Sequence, residues 1–405
     1  MAVGLGCSVD YRPIAGIRLA AVKSKIRYPD QLDLVLIELA EHANVAGVYT
    51  QNAFCAAPVA LAKVHAQKFC PRYFLINTGN ANAGTGETGN VNALRCCEAI
   101  AQLAGVSAQE VLPFSTGVIG EQLPVEKILA ATPGAFISLS ESSWVEAAEG
   151  ILTTDTRPKL VSVQLEIDSK QVSITGIAKG SGMIKPNMAT MLGFIFTDAD
   201  IEPTVLDELL CDAVGKSFNR ITVDGDTSTN DCCMLVATGK SGVSINKLST
   251  HDYGQFKAAL ESLFVTLATE LIKDAEGASK FITITVASGA SSLECRRVAY
   301  SIAESPLVKT ALFGEDPNWG RILAAVGRSG LENLDLQSIT IDLGSVRIVS
   351  GGGVDPSYLE ELGQVAMQKE EIIISVNLNR GSFSECVWTS DLSHEYISIN
   401  SDYRT

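Results

Sequence analysis

The feature that most restricts the fold is the order of two apolar patterns along the chain. One repeats every two residues, as in strands, and the other every 3.6 residues, as in helices. Strand-type runs occur at Leu34–Leu39, Tyr73–Asn77, Leu160–Ile167, Val172–Ile177, Leu192–Phe196, Met234–Ala237, Phe281–Val286, Ile339–Leu343, Val346–Val349 and Ile372–Val376. Helical periodicity is clearest at Asn90–Leu103, Pro203–Ser217, Tyr253–Asp274, Trp319–Val326 and Ser357–Met367. The two kinds of segment interleave without the strict alternation of a doubly wound parallel sheet. The sequence therefore predicts an α/β fold in which mixed sheets are sandwiched with helices.

Clusters of turn-forming residues interrupt these patterns. Pro133-Gly134 and the polar stretch Ser138–Ser143 predict a surface connection within the first half of the chain. Gly, Ser and Ala cluster again near residues 288–292. This second cluster indicates a soft boundary in the second half.

Charge and composition exclude several classes of partner. The 405 residues include 46 acidic and 31 basic side chains, a net charge of −15, so we expect no binding to nucleic acid. No apolar run approaches the roughly 18 residues of a membrane span, so we expect no membrane partner. The ten cysteines form no Cys-x-x-Cys pair, and the N-terminus lacks the pattern of a signal peptide. These features predict a cytoplasmic protein with reduced thiols.

The stretch from Ala178 to Asp198 carries the strongest chemical signal, because glycines and a proline precede Ala189-Thr190 and an apolar run. One interpretation is a strand, a turn and a second strand that begins at Thr190. In the other, the Thr190 hydroxyl attacks the Ala189 carbonyl, and water hydrolyses the resulting ester. Thr190 then becomes an N-terminus whose α-amine, with a reference pKa near ~8, is a base beside its own hydroxyl. The spacing alone leaves both interpretations open.

Other sequence blocks favour the second interpretation. They are Asn77-Thr-Gly-Asn-Ala-Asn-Ala, Ser115-Thr-Gly-Val-Ile-Gly, Thr153-Thr-Asp-Thr, Lys179-Gly-Ser-Gly-Met, Val223-Asp-Gly-Asp-Thr-Ser-Thr-Asn-Asp231, Glu276-Gly-Ala-Ser-Lys280, Asp316-Pro-Asn-Trp-Gly-Arg321 and Ile399-Asn-Ser-Asp-Tyr-Arg-Thr405. In type and order, over nearly the whole chain, these blocks resemble those of the glutamate N-acetyltransferase family, also called ornithine acetyltransferase, of arginine biosynthesis. The chain departs from the family at Gly84, where Cys is frequent, and at Ser279, where Thr is frequent.

The resemblance implies a role for each site residue. Thr190 would be the nucleophile and base after cleavage between Ala189 and Thr190, and Thr116 and Gly117 would form the oxyanion hole. The implied substrate-binding residues are Thr153, Lys179, Thr190, Glu276, Asn400 and Thr405.

Two of these roles follow from charge. Lys179 would meet the substrate carboxylate and lower the pKa of the Thr190 amine. Glu276 would either face the cationic end of ornithine or orient that amine, and the sequence does not separate the two. A polar cluster follows in the chain and lacks the spacing of a calcium loop, so we expect it to support the site. Its members are Asp224, Asp226, Thr227, Asn230 and Asp231.

The resemblance also implies the fold and the reaction. The fold would be that of ornithine acetyltransferase and the related DmpA-like enzymes, self-cleaved into an alpha chain of residues 1–189 and a beta chain of residues 190–405. Acetyl would pass from N2-acetyl-L-ornithine to L-glutamate through acetyl-Thr190, with no metal and no cofactor. The sequence leaves open whether acetyl-CoA is a second donor. The family pairs alpha and beta chains, and a heterotetramer of two of each is expected.

Two other functions remain open on the residues alone. A self-processing aminopeptidase of related fold would use water in place of glutamate as the acceptor. A non-catalytic metabolite-binding protein would keep its chain intact. Cleavage before Thr190, and the fate of the acetyl group, distinguish the three.

Overall fold

The computed structural model describes residues 2–4, 6, 10–185 and 191–402. The strands are Ile17–Val22 (β1), Leu34–Leu39 (β2), Asn44–Tyr49 (β3), Tyr73–Asn80 (β4), Val111–Val118 (β5), Lys159–Ile167 (β6), Lys170–Lys179 (β7), Leu192–Thr197 (β8), Asp200–Ile201 (β9), Ile221–Thr222 (β10), Cys232–Ala237 (β11), Ser244–Ile245 (β12), Phe281–Gly289 (β13), Thr340–Leu343 (β14), Val346–Ser350 (β15), Gly353–Val354 (β16), Glu371–Asn377 (β17) and Phe383–Ser390 (β18). The α-helices are Ala57–Lys68 (α1), Gly86–Ala104 (α2), Val125–Ile137 (α3), Trp144–Gly150 (α4), Pro203–Lys216 (α5), Thr250–Lys273 (α6), Ser292–Ala303 (α7), Pro306–Phe313 (α8), Trp319–Gly327 (α9), Glu360–Met367 (α10) and His394–Asp402 (α11).

Two sheets face each other at the centre of the first lobe. One has the strand order β1-β2-β4-β5 and the other β3-β11-β8-β7-β6. Phe114 of β5 lies edge-on to Phe74 of β4 at 5.4 Å and to Phe194 of β8 at 5.1 Å between ring centroids. Trp144 of α4 meets Phe196 of β8 in the same way at 5.4 Å. These buried rings join the two sheets through one apolar core.

Helices cover the outer face of each sheet. Helices α2 and α3 pack on the four-stranded sheet, and α5 and α6 pack on the five-stranded sheet. A side chain at Gly176 of β7 would come within 3.0 Å of Leu267 of α6, so this helix lies close against its sheet. The lobe is therefore layered helix, sheet, sheet, helix, which confirms the predicted α/β fold of mixed sheets sandwiched with helices.

A second lobe is built on a seven-stranded sheet of order β10-β18-β13-β17-β14-β15-β16. Helices α7, α8, α9 and α10 contribute to its core. The cluster near residues 288–292 lies in the turn from β13 to α7, and Val286 and Val298 on either side share that core. This turn joins two elements of one core. The chain passes from the core of the first lobe to the core of the second lobe earlier in the sequence, between Phe281 and Ile282.

Ser138–Ser143 connects α3 to α4 as predicted, but Pro133-Gly134 does not belong to this connection, because both residues lie inside α3. A proline inside a helix leaves the carbonyl four residues earlier without its usual partner. Here that carbonyl belongs to Leu129, and the Thr132 hydroxyl donates to it at 2.9 Å. The side-chain hydrogen bond compensates for the missing backbone bond, and the helix continues to Ile137.

Strands from both sides of the predicted cleavage point share the five-stranded sheet, with β11 and β8 between β3 on one side and β7 and β6 on the other. β3, β6 and β7 precede that point, whereas β8 and β11 follow it. Leu192 of β8 pairs with Lys179 of β7 on one side and with Cys232 of β11 on the other. The end of β7 and the starts of β8 and β11 therefore meet at one edge of the sheet. Within the described ranges, no helix is both long and apolar enough to cross a membrane.

Candidate active site

A cavity of about 260 Å³ opens where these strand ends meet. Its wall includes side chains from β5, β7, the loop before β11, the turn after α6, and α11. The cavity lies near the lower end of the roughly 300–1,000 Å³ range of small-molecule sites. A ligand about the size of one acylated amino acid suits this volume. Five of the residues predicted for the site contribute to the wall together with Gly117: Thr116, Thr153, Lys179, Glu276 and Asn400.

Lys179 is the buried cation of the cavity. Its Nζ donates to Thr116 Oγ1 at 3.0 Å and to Thr153 Oγ1 at 2.8 Å. Desolvation lowers the pKa of Lys179, while the carboxylates of Asp155, Asp231 and other acids oppose that shift. In the described part of the chain no carboxylate lies within ion-pair distance of Nζ. The lysine therefore has hydroxyl partners and no close counter-ion, which suits it to an anionic ligand.

A buried ion network lies behind Lys179. Lys159 donates to Asp155 and to Asp274, and all three side chains are fully buried. Burial alone would raise the pKa of Asp155, but Lys159 and Lys179 outweigh it and lower the pKa to about 2. Asp155 Oδ1 also accepts from the backbone N–H of Gly180 at 2.8 Å. The network thus fixes the backbone beside Lys179.

Gly117 lies at a close approach of two strands. Its φ is +133°, and a Cβ there would lie 2.3 Å from the carbonyl carbon of Gly79 and 2.5 Å from the amide nitrogen of Asn80. The pairing of β4 with β5 shifts register at this point. Only glycine fits, because any side chain would collide with backbone atoms. Thr116 and Gly117 both line the cavity, where the resemblance predicts an oxyanion hole.

Glu276 and Asn400 form the opposite wall. Asn400 Nδ2 donates to Glu276 Oε2 at 2.7 Å, which attaches α11 to the turn after α6. A Cβ at Gly182 would lie 2.3 Å from Glu276 Oε2, so the glycine leaves room for the carboxylate. The C-terminal helix therefore contributes Asn400 to the cavity wall, although Asn400 is more than a hundred residues from Glu276 in sequence.

The polar cluster of residues 224–231 has two parts. Asp224 accepts from the backbone N–H groups of Met183 and Ile184 at 2.7 and 2.9 Å and from the Tyr396 hydroxyl at 3.1 Å. Asn230 Nδ2 donates to the carbonyls of Ala81 and Ser115. The predicted supporting contacts are therefore present. Residues 228–231 also line the cavity directly, which the sequence did not indicate.

Three predicted site residues lie outside the described residues: Ala189, Thr190 and Thr405. Met191, the residue joined to Thr190, lines the cavity, and its carbonyl accepts from the N–H of Cys232 at 3.1 Å. The described chain thus reaches the cavity wall one residue after Thr190.

Sequence reasoning missed the buried ion network behind Lys179. Asp155 stands inside the quoted Thr-Thr-Asp-Thr block, which was a usable signal. Asp274 gave none, because its partner Lys159 is 115 residues away. The Asp316–Arg321 block does not line the cavity. Its Asn318 caps the start of α9 by accepting from the N–H of Arg321 at 3.1 Å.

Comparison with known proteins places this site in a family. Residues 18–405 match the ArgJ family. The chain is 52% identical over 406 residues to the "Arginine biosynthesis bifunctional protein ArgJ" of Pseudomonas fluorescens (strain Pf0-1), covering 100% of both chains. It is 51% identical over 393 residues to the protein of that name from Methylococcus capsulatus (strain Bath), covering 97% of this chain and 96% of the relative.

A solved structure gives a consistent result. The crystal structure of "Arginine biosynthesis bifunctional protein argJ" from Bacillus halodurans matches with a TM-score of 0.50 and 37% identity. The match covers 52% of this chain and 99% of that chain. With a family match over nearly its whole length and relatives about half identical to it, this chain belongs to the ArgJ family.

Proposed function

We propose that this chain is an acyltransferase of arginine biosynthesis that moves acetyl from N2-acetyl-L-ornithine to L-glutamate. The acetyl group is held as an ester on Thr190 between the two half reactions, in a ping-pong sequence. Holding the group covalently divides one difficult transfer into two easier ones. The names of the relatives, which place them in arginine biosynthesis, support the pathway.

The observation that carries the proposal is the position of Lys179. Its desolvated ammonium lies between the hydroxyls of Thr116 and Thr153, in a cavity bounded by Met191. A carboxylate of the acylated amino acid replaces the missing counter-ion of Lys179. The scissile amide then lies between the Thr116–Gly117 backbone and the start of β8. A positive charge close to the Thr190 amine also favours its neutral, basic form.

Cleavage between Ala189 and Thr190 is part of the proposal, with residues 1–189 as the alpha chain and 190–405 as the beta chain. The freed amine of Thr190 accepts the proton of the Thr190 hydroxyl and makes the oxygen nucleophilic. The Bacillus halodurans match supports a division of the chain. Nearly all of that crystallised chain corresponds to 52% of this one, and the beta chain would be 216 of 405 residues.

Glu276 is proposed to face the cationic end of ornithine. Its Oε2 already accepts from Asn400, so this oxygen is held in place while the carboxylate keeps further acceptor positions. Thr153, Asn400 and the C-terminal Thr405 complete the proposed set of substrate contacts.

Assays of the purified protein with each donor and acceptor test this function. N-acetylornithine with glutamate should give N-acetylglutamate and ornithine in equal amounts. Free acetate in place of N-acetylglutamate would indicate the aminopeptidase-type reaction instead. Binding without turnover, by an intact chain, would indicate a metabolite-binding protein. Acetyl-CoA with glutamate is assayed in parallel, because the relatives are named bifunctional and a second donor would account for that.

A further inference from the structure

Asp231 is a buried acid of the cavity for which the mechanism above has no use. It precedes β11, it is 4% exposed, and it lines the cavity. Its Oδ2 is buried and has no hydrogen-bond partner among the residues that the structure describes. A buried polar atom without a partner destabilises the folded protein, so such atoms are rare unless a ligand or water completes their hydrogen bonds.

The surroundings of Asp231 favour its neutral form. Burial raises its pKa well above the usual range, while Ser228 and the more distant charge of Lys179 oppose that shift. The other charged group of the cavity wall is Glu276, and the neighbouring side chain of β11 is the buried Cys232. Burial disfavours an ammonium for the same reason that it disfavours a carboxylate. When a ligand ammonium enters this cavity beside the Asp231 carboxylate, transfer of a proton from the nitrogen to the carboxylate oxygen therefore stabilises the pair.

Proton balance in the second half reaction requires such an acceptor. Glutamate arrives with an α-ammonium, which has no lone pair with which to attack the ester. One proton must leave before the C–N bond forms, and a second leaves the nitrogen as the C–O bond to Thr190 breaks. The Thr190 amine can carry the second proton to Thr190 Oγ. The first proton has no acceptor in that scheme.

We propose that Asp231 takes the first proton from the ammonium of the acceptor amino acid, so that the acceptor attacks as a neutral amine. This inference rests on the function proposed above. In the reverse direction, which is the donor half reaction, protonated Asp231 returns the proton to the departing amine, and ornithine leaves as an ammonium ion. Each full cycle leaves Asp231 as it began, so protons and charges balance over the two half reactions.

An Asp231→Asn variant tests the proposal with two acceptors. The acetylated enzyme is formed first and then mixed either with glutamate or with hydroxylamine, an amine that is already neutral at neutral pH. General-base catalysis typically contributes 10²–10⁴-fold. We expect the variant to react with glutamate at least about 100-fold more slowly than wild type, and with hydroxylamine within about twofold of wild type.

Asp198→Asn is the matched control. Asp198 follows the other end of β8, is a partly buried acid whose pKa burial also raises, and accepts from the Ser173 N–H at 2.9 Å. It should leave both acceptor rates unchanged. Equal slowing of both acceptors by Asp231→Asn, or an unchanged rate with glutamate, would overturn the proposal.

The wild-type protein gives a second test that does not depend on a variant folding. The ratio of the glutamate rate to the hydroxylamine rate cancels the titration of the Thr190 amine. If Asp231 deprotonates the bound acceptor, the ratio rises with pH only up to the pKa of Asp231 and is flat from there to the pKa of the glutamate amine. If only free-base glutamate from solution reacts, the ratio rises about tenfold per pH unit, and the proposal fails.

Failure of the underlying function has a different signature. In that case the wild-type protein is not cleaved before Thr190, or forms no acetyl ester. A wild-type protein that does both, without the acceptor discrimination described, removes only the role of Asp231.

Discussion

Lys179 and Lys159 are both buried, but they differ in whether carboxylates compensate their charge. Lys159 lies between two buried carboxylates, Asp155 and Asp274, so its charge is compensated in the folded state. Lys179 has two hydroxyl partners, and desolvation lowers its pKa. A buried charge that has no counter-ion in the folded protein indicates a binding site for a ligand, whereas a buried charge with a counter-ion indicates a structural role.

Replacing Lys179 should therefore affect activity more than stability. In Lys179→Met, loss of a charged hydrogen bond to the substrate, about 1.5–3 kcal/mol, should lower kcat/KM for N-acetylornithine roughly 10- to 150-fold. The free energy of unfolding should change little, because an apolar side chain of similar size also removes a desolvated charge. Steady-state kinetics and urea unfolding measure the two quantities.

Lys159→Met is the matched control. It leaves two buried carboxylates without their cation, and breaking such a network costs about 3–5 kcal/mol. Equal stability losses in the two lysine variants would contradict the distinct roles assigned to them.

Gly117 gives a second residue-scale prediction. Gly117→Ala would push its Cβ into the Gly79–Asn80 backbone and displace the proposed oxyanion hole. Loss of one such donor typically lowers kcat 10²- to 10³-fold. Gly120→Ala is the control, because its φ of +84° gives backbone strain of about 1–2 kcal/mol while nothing lies within 4 Å of the added carbon. A Gly117→Ala protein with the kcat of the control would contradict the close approach.

The sequence predicted individual site residues better than their partners. The family blocks named Thr116, Thr153 and Lys179, and the structure brings these three side chains into hydrogen-bond contact. Asp274 carries no local signal for its contact with Lys159, because that contact exists only after α6 packs on the sheet. Residues 189–190 lie outside the described residues, so the predicted nucleophile stays a prediction.

At the scale of elements, hydrophobic periodicity identified segments and not their pairing. The strand predicted at Leu34–Leu39 has the same bounds in the structure. Strand β3 was missed, and it pairs with β11 nearly 190 residues later in the chain. Periodicity gives the face that a strand buries but does not specify its neighbour. The error at Pro133 has another source, since a side-chain hydrogen bond from Thr132 compensates for the break that a proline normally indicates.

One helix contact gives a pH prediction at this scale. Lys309 of α8 is 3% exposed and donates to Thr389 Oγ1 of β18 at 2.9 Å and to the Ser390 carbonyl. Burial lowers its pKa to about 8, against an unfolded value near ~10.4. Between these values the unfolded chain binds more protons than the folded one, so this lysine makes the free energy of unfolding rise with pH in that window.

Below a pH of about 8, Lys309 is protonated in both the folded and the unfolded chain. Its contribution to the free energy of unfolding then no longer changes with pH. Lys309→Met should make the slope of the free energy of unfolding against pH less positive than in wild type, whereas Lys68→Met, which alters an exposed lysine, should leave the slope unchanged. Urea unfolding at several pH values from neutral to about 10 measures the slope. An unchanged slope in Lys309→Met would show that burial between α8 and β18 does not depress this pKa.

At the scale of the whole molecule, the proposed cut does not divide the protein into two lobes. The predicted alpha and beta chains share the five-stranded sheet, where β11 and β8 of the beta chain lie between β3 and β7 of the alpha chain. The core between the two sheets also contains Phe114 from one piece and Phe194 from the other. Each piece alone would expose part of this core, so neither should fold independently.

The two pieces should therefore stay together after cleavage without a covalent link. Size-exclusion chromatography in native buffer should give one peak that contains both pieces, and they should separate only in denaturant. We propose two of each per particle, and light scattering determines that number. Pieces that separate in native buffer would contradict the shared sheet.

The most direct measurement is intact mass spectrometry with N-terminal sequencing of the purified protein, before and after N-acetylornithine is added without glutamate. We expect two pieces of 189 and 216 residues, the second beginning Thr190-Met-Leu-Gly and becoming one acetyl group heavier. We also expect glutamate to remove this acetyl group and a Thr190→Ala chain to stay whole. A wild-type chain that remains intact while it transfers acetyl, or an acetyl group carried elsewhere than on Thr190, would contradict the account.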